Sequence, residues 1–527
     1  MKMPFMRNIA GILFGLTVLF SSAAANELRM GVYIYDYAFR KTAKESGEDL
    51  KSFAEKHFRI LHKNHVNAIH LTVNRADGKE FREIWLPLMK KYGIKAYLQL
   101  DFAYYHEPEI KEKWTEKDEN KKARLAAEFI RRYQNEPAIL AFSIREEVHH
   151  AYVNGMARYY QKILAHTPGF KIVTVHSGLG AAKDHPVPDP AVFGTDRYCF
   201  WWEFSGEGYL ASPASALNWL RSQTALYQAE AAKRGADFLL VVTANTFLSG
   251  RKYSETAWND IRGNGKLQKR ITRYTREKRF GWNLDKVNGQ EINWVWKWYR
   301  PPVNCTRAMI WTGILEGARA VLFWSYRPIG KNEPGTPAEL LTRDLARRQA
   351  RNPKQNRANG SWGSMAERPG EFNQPMAEFA AAALELKPYS HLICMMSKIP
   401  DSPIMTDRRK KVFNRAFAIP SYHGKIVVIH NADVGSWGKN SPVMFDENSD
   451  IKVDSHGNLV GYTPFTEPRK VEFTCSGKAP VFDFASGRQL ELKNGKGTVE
   501  ILPGGGTMLF IGTRQEFDRL KKAAAAK

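Results

Sequence analysis

The stretch Leu140-Ala141-Phe142-Ser143-Ile144-Arg145-Glu146-Glu147 decides how this chain is read. Alternate residues of a β-strand point to opposite faces. Leu140, Phe142 and Ile144 therefore form an apolar face suited to lie under helices, while Ala141, Ser143, Arg145 and Glu147 share the other. A strand that is apolar on one side and ends in charge on the other suits a barrel whose mouth carries the chemistry. Glu147 is expected to point into that mouth, and Glu146 to lie on the opposite face.

Working outward, seven more segments read as strands: Arg29 to Asp36, Val66 to Asn74, Ile94 to Phe102, Phe170 to Ser177, Val192 to Phe200, Phe238 to Asn245 and Ala318 to Tyr326. Helical periodicity fills the gaps, as in Leu50 to Asn64, Lys121 to Gln134, Gly155 to His166, Leu217 to Arg234 and Cys305 to Gly317. Eight alternating βα units over about 365 residues predict a (β/α)8 TIM barrel with enlarged loops. Polar residues gather on one face near the strand ends: His70, Thr72 and Asn74; Gln99 and Asp101; Thr174 and His176; Thr243 and Asn245. After Pro400 the pattern changes to short β runs with turn signals: Phe413 to Ile419, Lys425 to His430, Lys470 to Cys475, Ala479 to Phe484, Thr498 to Leu502 and Met508 to Gly512. This predicts an antiparallel β-sandwich. The expected division is a signal peptide over 1–25, the barrel over 26–395, the sandwich over 396–515 and a solvated tail over 516–527.

The signal peptide is read from basic Lys2 and Arg7, a 12-residue apolar run from Ile9 to Phe20, and small residues Ala23-Ala24-Ala25. The apolar run is shorter than the roughly 20 residues a spanning helix needs, so cleavage and a secreted or periplasmic location are expected, with no membrane span thereafter. The 527 residues carry 78 Lys and Arg against 54 Asp and Glu, a formal charge of +24. An excess of that size favours polyanionic partners, and export turns the expectation from nucleic acid to acidic or sulfated glycans. Four cysteines, Cys199, Cys305, Cys394 and Cys475, are too few and too scattered for a disulfide scaffold but leave one or two bridges open.

The run Tyr133-Gln134-Asn135-Glu136-Pro137-Ala138-Ile139 continuing to Glu147 resembles the fourth strand of glycoside-hydrolase-type (β/α)8 barrels, which ends in an acid/base glutamate. Arg307-Ala308-Met309 through Gly317 to Tyr326 is similar to the helix and eighth strand of that group. The resemblance implies a hydrolase of glycosidic bonds that needs no cofactor, acting on a polysaccharide or oligosaccharide. Glu147 would be its acid/base. Asp196, in Gly194-Thr195-Asp196-Arg197-Tyr198, would be the partner carboxylate at the end of strand six. Departures stand beside the matches. Glu146 replaces an Asp of the pattern, Val148 a Pro, and Thr243-Ala244-Asn245-Thr246 carries no glutamate where the retaining group places its nucleophile. A catalytically inactive glycan-binding barrel is therefore the rival reading.

Asp36, Asp101, His176, Trp201, Trp202, Asn245, Trp324 and Tyr326 are expected to bind substrate. For His176 and the carboxylates the alternative is a hydrogen-bonded structural role, and for Glu147 a salt bridge at the rim. The spacing of Glu147, His149 and His150 matches no metal motif, and no metal is expected. The insert from Leu248 to Val303 holds Trp258, Trp282, Trp294, Trp296 and Trp298, with 13 Lys or Arg against five Asp or Glu. It reads either as a lid packed on its own tryptophans or as an aromatic and cationic surface for an anionic glycan. A second basic insert spans Arg327 to Phe372.

Overall fold

The structure is a computed structural model describing residues 27–104, 116–148, 150–184, 190–199, 213–243, 246–252, 285–287, 290–326, 328–329, 373–437, 452–453 and 459–525. All eight expected barrel strands form: β1 (Arg29–Ile34), β2 (Ala68–Val73), β3 (Lys95–Leu100), β4 (Ile139–Ser143), β5 (Val173–His176), β6 (Val192–Asp196), β7 (Asp237–Thr243) and β8 (Ala320–Trp324). They pair in parallel in the order β4-β3-β2-β1-β8-β7-β6-β5. The ring closes where Phe142 bridges Ile172, with the Phe142 N–H donating to the Lys171 carbonyl at 2.9 Å. Among the described residues no helix is long and apolar enough to cross a membrane. The leader lies outside the described residues.

Two apolar layers follow from the alternation. Inside the barrel, Tyr33, Ala68, Tyr97, Ala141, Val173, Val175, Leu239, Val241 and Leu322 pack with one another. Outside, Phe142, Ile144, Phe193, Leu240 and Phe323 join the helices in the main core. Ala141 and Phe142 thus take the faces expected of them. β5 is inverted: its inward residues are Val173 and Val175, so Thr174 and His176 face the helices. The interior at that level is filled by aliphatic groups, and the His176 ring rests on Phe193 of β6 with centroids 4.9 Å apart. Gly31 in β1 is dictated by proximity, since a Cβ there would fall 1.7 Å from the Ala68 carbonyl oxygen.

The C-terminal region is a sandwich. A five-stranded antiparallel sheet built around Val412–Ala418, Lys425–Asn431 and Gly506–Ile511 faces a three-stranded one of Ile404–Thr406, Arg469–Cys475 and Lys496–Ile501. Val412, Val427, Ile429, Val471, Phe473 and Leu509 fill the space between them. The outer face of the larger sheet is equally apolar, and Phe417, Val428, Met508 and Phe510 merge into the barrel's core. They meet the helix Cys305–Leu315, where a Cβ on Gly506 would come within 2.4 Å of Trp311. Just beyond this helix Glu316, fully buried, lies 2.6 Å from Lys398, 3.2 Å from Arg415 and 3.4 Å from Arg221, which pins the sandwich to the barrel.

The expected solvated tail is instead a helix, Arg514–Ala525. Phe517, Leu520 and Ala524 recur at helical spacing and are buried, with Phe517 stacked on Phe482 at 4.8 Å. All four cysteines are free thiols.

Candidate active site

β4 ends at Ser143, and the strand alternation ends with it. The next four residues bend, and Glu147 adopts a left-handed backbone with φ of 53°. That conformation costs a non-glycine residue on the order of 1 kcal/mol. Here the Glu147 N–H is held by the Val175 carbonyl of β5 at 2.9 Å. The bend returns both glutamates to the mouth, which corrects the expectation that Glu146 lies on the far face. Glu146 Oε1 accepts a hydrogen bond from the Tyr33 hydroxyl at 2.9 Å. His70 Nε2 lies 2.9 Å from the same oxygen but outside hydrogen-bond alignment.

Asp196, the last residue of β6, faces Glu147. Its charge is the largest influence on Glu147, followed by burial and by a hydrogen bond between the two carboxyls; together these push the Glu147 carboxyl well above its usual range. Glu147 reaches solvent while Asp196 is 6% exposed, so the facing charge outweighs desolvation at Glu147. Two carboxylates in contact cannot both ionise cheaply, and Glu147 is the one that keeps a proton. Asp196 Oδ1 is buried with no hydrogen-bond partner.

Asp101, half-buried at the end of β3, accepts from Gln99 Nε2 at 2.7 Å. Burial raises its pKa to about 6, opposed by that hydrogen bond and assisted by the Asp36 and Glu146 charges. Aromatic rings enclose the carboxylates. Tyr33 stacks on His70 at 4.1 Å, and Tyr198 on Trp324 at 5.6 Å. The Trp324 indole donates to the Tyr35 hydroxyl at 2.6 Å. Arg145 lies 4.6 Å over the Tyr104 ring.

The expected site residues therefore divide. Glu147, Asp196, Asp101 and Trp324 come together at the mouth. Asp36 is at the rim but its carboxylate is occupied by Arg40, Thr72 and Asn74, tying β1 to β2. His176 and Tyr326 do not reach the mouth. Tyr326 is buried behind β8, where its hydroxyl lies 2.6 Å from His57 Nδ1 on the helix Leu50–Lys63. Burial depresses that histidine's pKa to about 3. Trp201, Trp202 and Asn245 lie outside the described residues, as do Trp258, Trp282 and most of Arg327 to Phe372. Within the first insert, Thr246–Lys252 pairs antiparallel with Gln290–Tyr299. Sequence reasoning missed Tyr33, Tyr35, Tyr104 and Tyr198. The two-residue spacing of Tyr33 and Tyr35 was the available signal for the first pair. Among the described residues no cluster of three His, Cys, Asp or Glu could hold a metal ion.

No family model matches the sequence. No curated protein matches it either. Solved structures similar to it include a glycoside hydrolase family 5 mannosidase from Rhizomucor miehei, 10% identical with a TM-score of 0.39, over 69% of this chain and 97% of that one. An Anoxybacillus α-amylase is 9% identical with a TM-score of 0.44, covering 92% and 98% of the two chains. A family 30 subfamily 8 xylanase from Clostridium acetobutylicum is 9% identical with a TM-score of 0.39, covering 93% and 98%. The fold itself is established by the parallel strand pairing and its closure.

Proposed function

We propose that this chain is an exported glycoside hydrolase that cleaves O-glycosidic bonds of a polysaccharide, with Glu147 as general acid/base and Asp196 as its partner. The observation that carries the reading is Glu147 hydrogen-bonded to a second carboxyl, Asp196, at the C-terminal mouth of a barrel. Glu147 would protonate the glycosidic oxygen as the bond to the anomeric carbon breaks. Hydrogen-bonded carboxyls stand closer than the roughly 5–5.5 Å of a retaining pair or the roughly 6.5–9.5 Å of an inverting one, so a bound sugar would have to part them before the glycosidic bond could lie between them. Asp196 would then attack the anomeric carbon, and Glu147, now ionised, would take a proton from the water that releases the sugar from Asp196.

The basic insert from Leu248 to Val303 supports an acidic or sulfated polymer held beyond the reaction centre. The rival, a glycan-binding barrel without turnover, draws on the missing glutamate in Thr243-Ala244-Asn245-Thr246. Reducing-end release from a panel of neutral, sulfated, uronate and amino polysaccharides separates the two. The proposal expects at least one member to be cleaved; binding with no cleavage of any member supports the rival.

A further inference from the structure

We infer that a groove in the smaller sheet of the C-terminal sandwich is a second seat for the polymer, one that holds sugar units bearing carboxylate or sulfate groups; this deepens the acidic-polysaccharide reading above and rests on it. The groove exists because one strand outruns its neighbour. Arg469–Cys475 pairs with Lys496–Ile501 from Arg469 to Thr474, but with Ile404–Thr406 only from Phe473 to Cys475. The Cys475 N–H donates to the Gly495 carbonyl and the Ser476 N–H to the Pro403 carbonyl, so odd-numbered residues bond toward Lys496–Ile501 and even-numbered ones toward Ile404–Thr406. Beyond Thr406 the chain turns off through Arg408–Lys410. The backbone N–H and C=O groups of Lys470 and Glu472 therefore face a groove of about 310 Å³ in place of a strand.

The surroundings are positive after every nearby carboxylate is counted. Lys410, Lys470 and Lys496 line the groove and have no ion-pair partner among the described residues. Asp407 accepts the Arg409 N–H at 3.0 Å and so caps the turn. Asp433 is shared by Lys411 and Arg469, each at 3.0 Å. Glu472 remains, with Glu500 opposite Lys470 in the register. Against these carboxylates stand Lys410, Lys411, Arg469, Lys470 and Lys496, with Arg408 and Arg409 in the adjoining turn.

The chemistry of the groove favours a glycan over a peptide. An added peptide strand could pair with Lys470 and Glu472 alone, and a lysine on a sheet edge guards against strand addition. Sugar hydroxyls donate and accept alike, so they can satisfy both the N–H and the C=O groups of that edge without forming a continuous strand. Met405, 63% exposed in the lining, offers a sugar face an apolar seat. The ammonium groups of Lys410, Lys470 and Lys496 are then free to meet carboxylate or sulfate on the same units.

The test is lysine acetylation of the full chain at neutral pH, read residue by residue by peptide mass spectrometry, with hexamers of galacturonate and of a sulfated galactan, with cellohexaose and with a short DNA duplex. At saturation at least one anionic hexamer should slow acetylation of Lys410, Lys470 and Lys496 at least about 3-fold. Cellohexaose and DNA should not, and Lys51, Lys63 and Lys387, exposed elsewhere, should react as before. Lys470→Gln should remove the protection of Lys410 and Lys496, whereas Lys387→Gln should leave it intact. No protection by either anionic hexamer would overturn the inference. Equal protection by cellohexaose would remove the role of charge, and equal protection by DNA would reduce the groove to a general polyanion surface; either result overturns it too. Protection without cleavage of any polysaccharide would sink the hydrolase reading and leave the groove standing. Cleavage of an anionic polymer with no protection would do the reverse.

Discussion

Asp101→Asn should stabilise the protein at neutral pH and lose that advantage in acid. In the folded chain burial lifts the Asp101 carboxyl to about 6 from its ordinary 3.8. Between those two values the folded protein holds a proton that the unfolded chain has released, so stability falls as pH rises through the window. A shift of about two units corresponds to about 3 kcal/mol once pH exceeds both values. About 2 kcal/mol of this develops between pH 4.5 and 7.5. Asparagine keeps an oxygen for the Gln99 amide, which donates at 2.7 Å, and removes the charge. Urea unfolding of wild type and variant at both pH values should therefore show the variant's relative stability rising by about 2 kcal/mol at the higher pH. A difference that does not change with pH would refute an Asp101 carboxyl held protonated by burial.

Other outcomes follow from the same contacts. Glu316→Ala leaves Arg221, Lys398 and Arg415 facing one another at the barrel–sandwich junction and should cost about 3–5 kcal/mol, read by calorimetry as earlier, less cooperative unfolding. Tyr326→Phe removes the buried contact with His57 and should destabilise by about 1–3 kcal/mol with turnover of folded enzyme unchanged; a selective loss of turnover would return Tyr326 to the site. Replacing Arg273, Arg276 and Arg279 together with Gln should weaken binding to sulfated or uronate polymers, and wild-type binding should fall with salt, as measured by affinity electrophoresis. Salt-independent binding would point to the tryptophans instead.

Strand number, order of elements and the change to a sandwich were legible because each rests on local periodicity and turn chemistry. The candidate site was legible only in part. Glu147 and Asp196 were read as polar residues at or just past strand ends, and the structure brings both to the mouth. Glu146 was misplaced because alternation was carried past Ser143, whereas the chain leaves the strand there and bends through the left-handed Glu147. His176 and Tyr326 were expected at the mouth because a polar residue near a strand end was assumed to face inward, whereas both side chains turn away from the barrel interior. His176 packs on Phe193 and Tyr326 meets His57, whose helix lies more than 260 residues away in sequence. The C-terminal helix was hidden by its charged residues, although Phe517, Leu520 and Ala524 already carried its period.

The most direct measurement is turnover and binding by wild type and Glu147→Gln on whichever polysaccharide the panel identifies. Glutamine preserves size and most hydrogen bonding but has no proton to transfer. Turnover should fall at least 10²-fold while affinity and folding stay close to wild type. Wild-type turnover in Glu147→Gln would contradict the assignment of Glu147 as the acid, and with it the account of this mouth as an active site.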